Sequence, residues 1–321
     1  MTLKAPLVLP LSQITGILET LNLIPLIEQG FLALSSNKAI VPPVGELLFD
    51  NPRGEAHIKY GYILNQPYYV VKIASGFYEN PKLGLKSSQG LMLAFSQQTG
   101  VLKAVLLDEG YLTDIRTAIA SMITLRYLAP KNIKSIGIVG TGIQAKLQLK
   151  YLKEVTPCKN IMVWGRTAEK IEAYKASFKN SDYNISITSS IKELANTCNL
   201  IITTTPSKEP LLQESQIKKG THITAIGSDT SEKTELDSNI IKKADIVVSD
   251  SIEQSKSRGE IYRARQDDCL NPNKLIELGN LIKNPALGRQ NNQQITVADL
   301  TGVAVQDIMI ATAILNNLKN I

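Results

Sequence analysis

The feature that most constrains the fold is an alternation of short apolar strands and helices beginning near residue 135. A buried-type strand leads into the glycine-rich run from Gly140 to Ala145, and an amphipathic helix follows. Near-continuous apolar strands that alternate with helices are typical of a parallel sheet covered on both faces. We therefore predict an α/β fold with a doubly wound, Rossmann-type parallel sheet. The predicted strands are residues 135–139, 160–164, 199–204, 222–226 and 245–249.

The glycine-rich run predicts a dinucleotide site. Gly140 permits a tight turn, Gly142 lets the backbone approach a pyrophosphate, and the small Ala145 allows the helix to pack closely on the strand. The helix N-terminus adds free N–H groups and a positive dipole. The alternative is an ordinary glycine-rich turn. The expected cofactor-binding residues here are Gly140, Thr141, Gly142, Ile143, Gln144 and Ala145.

The end of the second predicted strand distinguishes the two nicotinamide cofactors. A site for NAD places an acidic residue there to accept the ribose hydroxyls, whereas this strand ends in Arg166 and Thr167. An arginine fork can pair with a 2′-phosphate, and a threonine can hydrogen-bond to it. We therefore predict that NADP(H) is favoured over NAD(H). The alternative is a solvent-facing arginine at the start of a helix.

The region before residue 126 has a different pattern of predicted helices and strands. Residues 12–34 predict two short helices on either side of Pro25, and residues 41–107 predict an antiparallel sheet with strands at 56–63, 68–74, 90–96 and 102–107. We predict an α+β domain over residues 1–125 and a Rossmann domain over 126–294. Residues 295–321 have helical apolar spacing and are predicted to pack back on the first domain.

Two lysines in the antiparallel region indicate an anion site. If the turn of their hairpin is centred between Asn65 and Gln66, Lys59 and Lys72 lie directly opposite each other on one face. Like charges so placed repel, and a bound carboxylate would relieve the repulsion. The alternative is a pair of lysines that extend from an exposed face.

A long helix is predicted over residues 113–129, with Thr113 as its N-cap. Asp114 suits the positive helix end, but Arg116 in the first turn opposes the dipole. Arg116 and the dipole together favour a bound anion such as a substrate carboxylate. The alternative is a surface arginine paired with Asp114 or Glu109.

Asp229 follows the fourth predicted parallel strand, and ligands of such sheets sit beyond the carboxyl ends of the strands. An acid there can exchange a proton with an amine or imine nitrogen near the nicotinamide. The alternative is an aspartate that caps the next turn. His222 begins a buried strand and is interpreted as structural, whereas the role of His57 stays open. We also expect the strand-end residues Thr204, Thr205 and Ser228 beside the cofactor.

The composition limits the kind of partner. The net charge is +6, but the basic residues are spread along the chain, which favours an anionic small molecule over nucleic acid. Three cysteines without CxxC spacing indicate free thiols and no metal site. The N-terminal ten residues are too short and too interrupted by proline for a signal peptide, and no apolar run reaches membrane-spanning length. We expect a soluble cytoplasmic protein with no membrane partner.

Taken in order, these motifs resemble the ornithine cyclodeaminase and mu-crystallin family over nearly the full length. The resemblance implies a homodimer whose first domain binds substrate and forms the dimer contact. It further implies that Lys72 and Arg116 bind the substrate carboxylate and that Asp229 is the catalytic aspartate. Relatives often carry one more carboxylate-binding arginine, for which Arg53 is the nearest candidate, while Lys59 offers an alternative. The motifs are 71–73 with 76, 77 and 80, 112–118, 140–145, 227–229 with 233–236, and 299–302 with 306 and 307.

The family chemistries share transfer of a hydride between nicotinamide C4 and a carbon that carries nitrogen and carboxylate. We expect reduction by NADPH of a cyclic ketimine carboxylate, Δ1-pyrroline-2-carboxylate or Δ1-piperideine-2-carboxylate, to L-proline or L-pipecolate. Three alternatives stay open: cyclodeamination of ornithine to proline with bound NAD+, reductive amination of the alanine-dehydrogenase type, and an NADPH-dependent small-ligand binding protein. Retention of Lys72, Arg116 and Asp229 argues against a pure binder, which needs no proton-handling acid.

Overall fold

The structure is a computed structural model that describes residues 5–319 and divides into two compact units. The first unit contains the described residues up to Arg116 and those from Val303 onward, and the second runs from Thr117 to Gly302. These boundaries differ from the predicted 1–125, 126–294 and 295–321. Residues 295–302 belong to the second unit rather than to a returning tail, because Thr296–Asp299 is a strand of its sheet.

A seven-stranded sheet forms the first unit, in the order β1-β7-β6-β5-β4-β2, with β3 also paired to β4. The four predicted strands are confirmed as β4 to β7, with antiparallel pairing. The sequence interpretation missed β1, which pairs parallel to β7, and the short strands β2 and β3. The seven strands are β1 (Leu7–Pro10), β2 (Ala39–Ile40), β3 (Gly45–Asp50), β4 (Arg53–Ile63), β5 (Tyr68–Phe77), β6 (Ser88–Ser96) and β7 (Leu102–Leu107).

Three helices lie in the N-terminal part of the chain: α1 (Leu11–Leu18), α2 (Leu23–Ser35) and α3 (Tyr111–Leu128). The two short helices are confirmed, but their break precedes Pro25, which lies in the first turn of α2 where a missing N–H is tolerated. The prediction that Thr113 caps α3 is wrong, because α3 begins two residues earlier. The carboxylate of Asp108 accepts the N–H of Leu112 instead, at 2.8 Å.

The second unit contains an eight-stranded sheet in the order β10-β9-β8-β11-β12-β15-β13-β14, and its strands are paired in parallel. The five predicted strands are confirmed as β8, β9, β11, β12 and β13, with ends that differ by at most a residue. Three were missed, including β15, which lies between β12 and β13. The strands are β8 (Ile136–Val139), β9 (Asn160–Trp164), β10 (Asn184–Thr188), β11 (Leu200–Thr203), β12 (His222–Ala225), β13 (Ile246–Ser249), β14 (Leu275–Glu277) and β15 (Thr296–Asp299).

The remaining helices complete both units. The C-terminal helix α10 belongs to the first unit, where it packs against α2 and against β4 and β5. In the part of the chain that the structure describes, no single helix is long and apolar enough to cross a membrane; the bent pair α1 and α2 meets that test by length and composition only. The helices are α4 (Ile143–Leu152), α5 (Ala168–Ala176), α6 (Ile191–Thr197), α7 (Ser238–Lys243), α8 (Gly259–Gln266), α9 (Leu278–Lys283) and α10 (Ala304–Lys319).

Candidate active site

The turn between β8 and α4 has the geometry that a pyrophosphate requires. Gly140 has φ of 122°, a conformation that glycine alone adopts readily, and a Cβ there would collide with the hydroxyl of Thr204. A Cβ on Gly142 would meet no atom within 4 Å, so the backbone there is open to a ligand. Gly142 is the N-cap of α4 and provides no side-chain cap for its N–H groups. The residues present therefore fit a dinucleotide phosphate.

The other residues of this turn support it in different ways. Ala145 is fully buried, and its carbonyl accepts the hydroxyl of Tyr174 at 3.0 Å, which ties α4 to α5. The methyl group of Thr141 would lie 2.8 Å from a Cβ on Gly165, so the end of β9 is closely packed against the turn. Ile143, which is half exposed, and Gln144 occupy the first turn of α4.

Arg166 and Thr167 follow β9 after the single residue Gly165 and are both exposed. Thr167 is the N-cap of α5, and its side chain makes no cap hydrogen bond. The hydroxyl and the guanidinium therefore lie at the position from which a Rossmann fold reads the adenosine ribose.

The two lysines of the first unit lie as their hairpin predicts. Lys59 on β4 is directly opposite Lys72 on β5, in the register that a turn centred between Asn65 and Gln66 requires. Lys59 is 6% exposed and Lys72 is 2% exposed. The prediction of an opposed pair is confirmed, and the alternative of two lysines on an exposed face is wrong.

Arg116 is linked to Lys72 through Asp307 of α10. Its Nε donates to Asp307 Oδ1 at 3.1 Å, its Nη1 donates to Gln306 Oε1 at 2.9 Å, and Lys72 Nζ lies 3.5 Å from Asp307 Oδ2. Arg116 lies in the second turn of α3 and is 3% exposed, so neither the first-turn position nor the surface pairing with Asp114 or Glu109 is correct.

Asp108 is a second carboxylate in this group. Burial raises the pKa of Asp108, the N–H of Leu112 lowers it, and the nearby charges of Asp307 and Lys72 act in opposite directions. Its Oδ1 is buried and has no hydrogen-bond partner among the described residues. We call Lys59, Lys72, Arg116, Asp108 and Asp307 the cation cluster. It contains three cations and two carboxylates.

Arg53 is not brought to the cation cluster. It is exposed at the start of β4, and six residues of extended strand, about 20 Å, separate it from Lys59. Its guanidinium instead lies 6.0 Å from the centre of the Tyr78 ring.

Asp229 follows β12 and has an unforeseen partner. Lys233 Nζ lies 2.7 Å from Asp229 Oδ1, and Lys233 is itself buried. Arg258 Nη1 donates to the backbone carbonyl of Asp229 at 3.0 Å. The Asp229 side chain remains 36% exposed and therefore available to a ligand. Asp229 and Lys233 lie in the loop after β12, where the four-residue spacing of a helix does not apply, so no local pattern indicated this pair.

Glu235, within the 233–236 motif, joins the loops after β11 and β12, a role that the motif alone did not indicate. Its carboxylate accepts the hydroxyl of Thr203 and the N–H of Thr205, as well as the N–H of Gly227. Burial raises the pKa of Glu235 to about 7 against the lowering effect of these donors. The carboxylate therefore fixes the two strand ends at which cofactor contacts are expected.

The three hydroxyls expected beside the cofactor all donate within the protein. Thr204 Oγ1 donates to Val139 O at 3.1 Å, Thr205 Oγ1 to Glu235 Oε1 at 2.7 Å, and Ser228 Oγ to Lys233 O at 2.5 Å. They position the loops through these bonds, which leaves only their acceptor capacity for a ligand.

His222 is structural, as expected. Its ring nitrogens contact the hydroxyls of Thr296 and Thr224 at 2.8 and 2.9 Å inside the parallel sheet. Burial lowers its pKa to about 3, which keeps the ring neutral. Within residues 5–319, no group of three histidine, cysteine or acidic side chains is arranged to hold a metal ion.

The fold and these residues define a Rossmann-type oxidoreductase with a nicotinamide dinucleotide cofactor and a second unit that carries buried cations. The model of the ornithine cyclodeaminase/mu-crystallin family matches residues 5–321, and the chain belongs to this family. An uncharacterised cyclodeaminase of Sinorhizobium fredii is 38% identical over 89% of this chain and 87% of its own. Alanine dehydrogenase of Archaeoglobus fulgidus is 34% identical, over 91% and 88%.

The fold is also similar to that of a solved structure. Thermococcus litoralis Δ1-pyrroline-2-carboxylate reductase, in complex with NADH and L-proline, superimposes with a TM-score of 0.90 at 27% identity, over 98% of both chains. The family resemblance, the fold class and the expectation of a nicotinamide cofactor are therefore confirmed.

Proposed function

We propose that this chain uses NADPH to reduce a cyclic 2-ketimine carboxylate, Δ1-pyrroline-2-carboxylate or Δ1-piperideine-2-carboxylate, to L-proline or L-pipecolate. The observation that carries the proposal is the convergence of two buried cations, Lys72 and Arg116, on Asp307 of α10. Buried, hydrogen-bonding cations are suited to bind a carboxylate, and the substrates proposed here all carry one. The similarity to a reductase bound to NADH and L-proline supports the same substrate class.

In this proposal Lys72 and Arg116 bind the substrate carboxylate, and Lys59 contributes positive charge from the opposite strand. Asp307 contacts both Lys72 and Arg116, which holds the two cations in place before substrate arrives. A site organised in advance loses little entropy on binding and fixes the orientation of the imine carbon. We assign Arg53 no part in this binding because of its distance from Lys59.

The bound nicotinamide supplies the hydride, and the protein manages one proton. We assign that proton to Asp229, which donates to or orients the imine nitrogen as it becomes an amine. The ammonium of Lys233, 2.7 Å away, fixes the orientation of the Asp229 carboxyl group. We propose that the cofactor is held by the turn from Gly140 to Ala145.

We further propose a preference for NADP(H), since Arg166 and Thr167 are exposed where a 2′-phosphate would lie. A homodimer is the proposed assembly. Leu47 and Phe49 of β3, which share one face of the strand, are 55% and 40% exposed, an apolar surface that a second copy would cover. An archaeal alanine dehydrogenase with the same fold, 29% identical, is described as a dimer with bound NAD.

Reductive amination of pyruvate is the second candidate, favoured by the 34% identity to alanine dehydrogenase. The test measures oxidation of NADPH and NADH with each cyclic imine and with pyruvate plus ammonia, and proline formation from ornithine. We expect the highest kcat/KM with a cyclic imine and NADPH. Oxidation with pyruvate and ammonia alone would select the second candidate. Proline formed from ornithine without reduction of either imine would contradict the reductase proposal.

A further inference from the structure

A second group of titratable side chains lies beside the cation cluster and has no role in the proposed reaction. His57 on β4 is 7% exposed, and its Nδ1 lies 3.4 Å from Glu46 Oε1 while its Nε2 lies 3.7 Å from Glu55 Oε1. Neither ring nitrogen has a hydrogen-bond partner among the described residues. We call Glu46, Glu55 and His57 the His57 cluster.

The strand register places the His57 cluster on the face that carries the lysines. His57 and Lys59 are two residues apart on β4, so their side chains point to the same side, with Cα atoms about 7 Å apart. Glu46 on β3 is paired directly with His57, and Glu55 precedes His57 by two residues. Acidic and basic groups therefore follow one another along a single face of the sheet.

The neighbouring strand leaves space beside the His57 cluster. The residues of β5 opposite His57 and Glu55 are Ala74 and Gly76, both small. A Cβ on Gly76 would lie 3.8 Å from Glu55 Oε1, so the glycine keeps the area beside this carboxylate clear. The side chain of Glu46 is 29% exposed and that of Glu55 is 16% exposed, which leaves both within reach of a ligand.

The charges of the two clusters have opposite signs. His57 contributes at most one positive charge against two carboxylates, so the His57 cluster is negative whether or not the ring is protonated. The cation cluster, which begins two residues along β4 at Lys59, contains three cations and two carboxylates. A substrate with one carboxylate can place it at the cation cluster and direct its uncharged or cationic end toward the His57 cluster. A second carboxylate directed along β4 toward His57 would meet like charge in a partly buried site.

We propose that the His57 cluster determines specificity for the distal end of the substrate: it admits 2-imino acids with an uncharged or cationic distal end and disfavours dicarboxylates. The inference rests on the proposed function for the position of the first carboxylate. His57 is a positioning residue, because it holds Glu46 and Glu55 on either side of its ring. Discrimination by repulsion of the wrong ligand is a general route to specificity.

The test measures binding and turnover in parallel. Calorimetry gives the Kd of pyrrole-2-carboxylate, a planar monocarboxylate, and of succinate, a dicarboxylate. Turnover is measured as NADPH oxidation with Δ1-pyrroline-2-carboxylate and with iminosuccinate formed from oxaloacetate and ammonium. The variants are Glu46→Gln with Glu55→Gln, and Glu46→Gln alone in case the double variant does not fold. Asp50→Asn is the matched control, since Asp50 lies on β3 on the same face and is exposed.

We expect the wild type to prefer the monocarboxylate by about a hundredfold, and the double variant to lower this preference by about tenfold or more. Glu46→Gln should lower it by a smaller factor, and Asp50→Asn should leave it unchanged. An equal preference in wild type and variants, or equal use of both ligands by the wild type, would overturn the inference. If binding shows the expected preference but no imine is reduced, the proposed function fails while the inference stands.

Discussion

The two binding regions are built from different materials. The cation cluster consists of buried charged side chains from β4, β5, α3 and α10, together with Asp108 just before α3, and it carries its own counter-charges. The dinucleotide turn consists of backbone, glycine and alanine, with one exposed cation, Arg166, at its edge. Substitution in the first region therefore disturbs both binding and the internal charge balance. Substitution at Arg166 should change the choice of cofactor alone.

Lys72→Met should have the largest effect. Removal of one buried cation weakens carboxylate binding and leaves Asp307 with Arg116 as its remaining cation, at a cost of about 3–5 kcal/mol. We expect kcat/KM for the imine to fall by about 10²–10⁴-fold, measured by NADPH oxidation. Lys103→Met, at an exposed position of β7, is the control and should leave kcat/KM unchanged. Similar losses in both variants would show that Lys72 has no special role.

Asp229→Asn should lower kcat by about 10²–10⁴-fold, because the amide cannot transfer the proton that a carboxyl group transfers. The Kd for NADPH, measured by fluorescence titration, should change little. Unchanged kcat would remove Asp229 from the mechanism. A parallel loss of cofactor affinity would mean that the carboxylate acts by shaping the loop after β12.

Arg166→Ala tests the dinucleotide turn rather than the cation cluster. Loss of a charged hydrogen bond to the 2′-phosphate, about 1.5–3 kcal/mol, should raise the KM for NADPH about ten- to hundredfold and leave the KM for NADH unchanged. Steady-state kinetics with both cofactors measures this difference. Equal changes for the two cofactors would contradict a phosphate-binding role.

His222→Gln should have the smallest effect, a loss of stability that is largest near neutral pH and shrinks as the pH falls. The pKa of His222 is about 3 in the folded protein against an ordinary value of 6.5, so its stabilising contribution is complete above about pH 6.5 and declines as the pH falls. Each pH unit in this window changes its contribution by about 1.4 kcal/mol. Urea denaturation should therefore show wild type and variant converging between about pH 6.5 and 4.5.

Glu235 changes the stability of the fold in the opposite direction to His222 over part of this pH range. Its raised pKa means that the folded state holds the proton more tightly than the unfolded state, so its contribution declines as the pH rises toward about 7. The His222 effect is therefore measured as the difference between variant and wild type at each pH. A difference that does not change with pH would contradict the neutral, buried state of the ring.

Local sequence patterns predicted those parts of the site that are formed by residues close together in the chain. The hairpin turn fixed the opposition of Lys59 and Lys72, because the register of a hairpin follows from its turn. The strand, turn and helix around Gly140 were predictable for the same reason. The Asp-Glu-Gly run before α3 could have indicated Asp108 as a capping residue, since acidic side chains commonly accept the first helical N–H groups.

Other contacts depend on tertiary packing and could not be predicted from local patterns. Arg116 and its partner Asp307 are 191 residues apart, and their contact exists only because α10 packs in the first unit. The strand β15 was interpreted as part of a helical tail, because its short apolar run adjoins the apolar periodicity of α10. Glu235 joins two loops through four donors without any sequence pattern.

The most direct test of the proposed reaction follows the hydride itself. Δ1-Pyrroline-2-carboxylate is reduced with NADPH that carries deuterium at the transferable C4 position, and the proline formed is analysed by mass spectrometry. The proposal predicts one deuterium on the Cα of L-proline, formed about 10²–10⁴-fold more slowly by Asp229→Asn and by Lys72→Met. Oxidation of the cofactor without deuterium at Cα, or no reaction with any 2-imino acid, would contradict it.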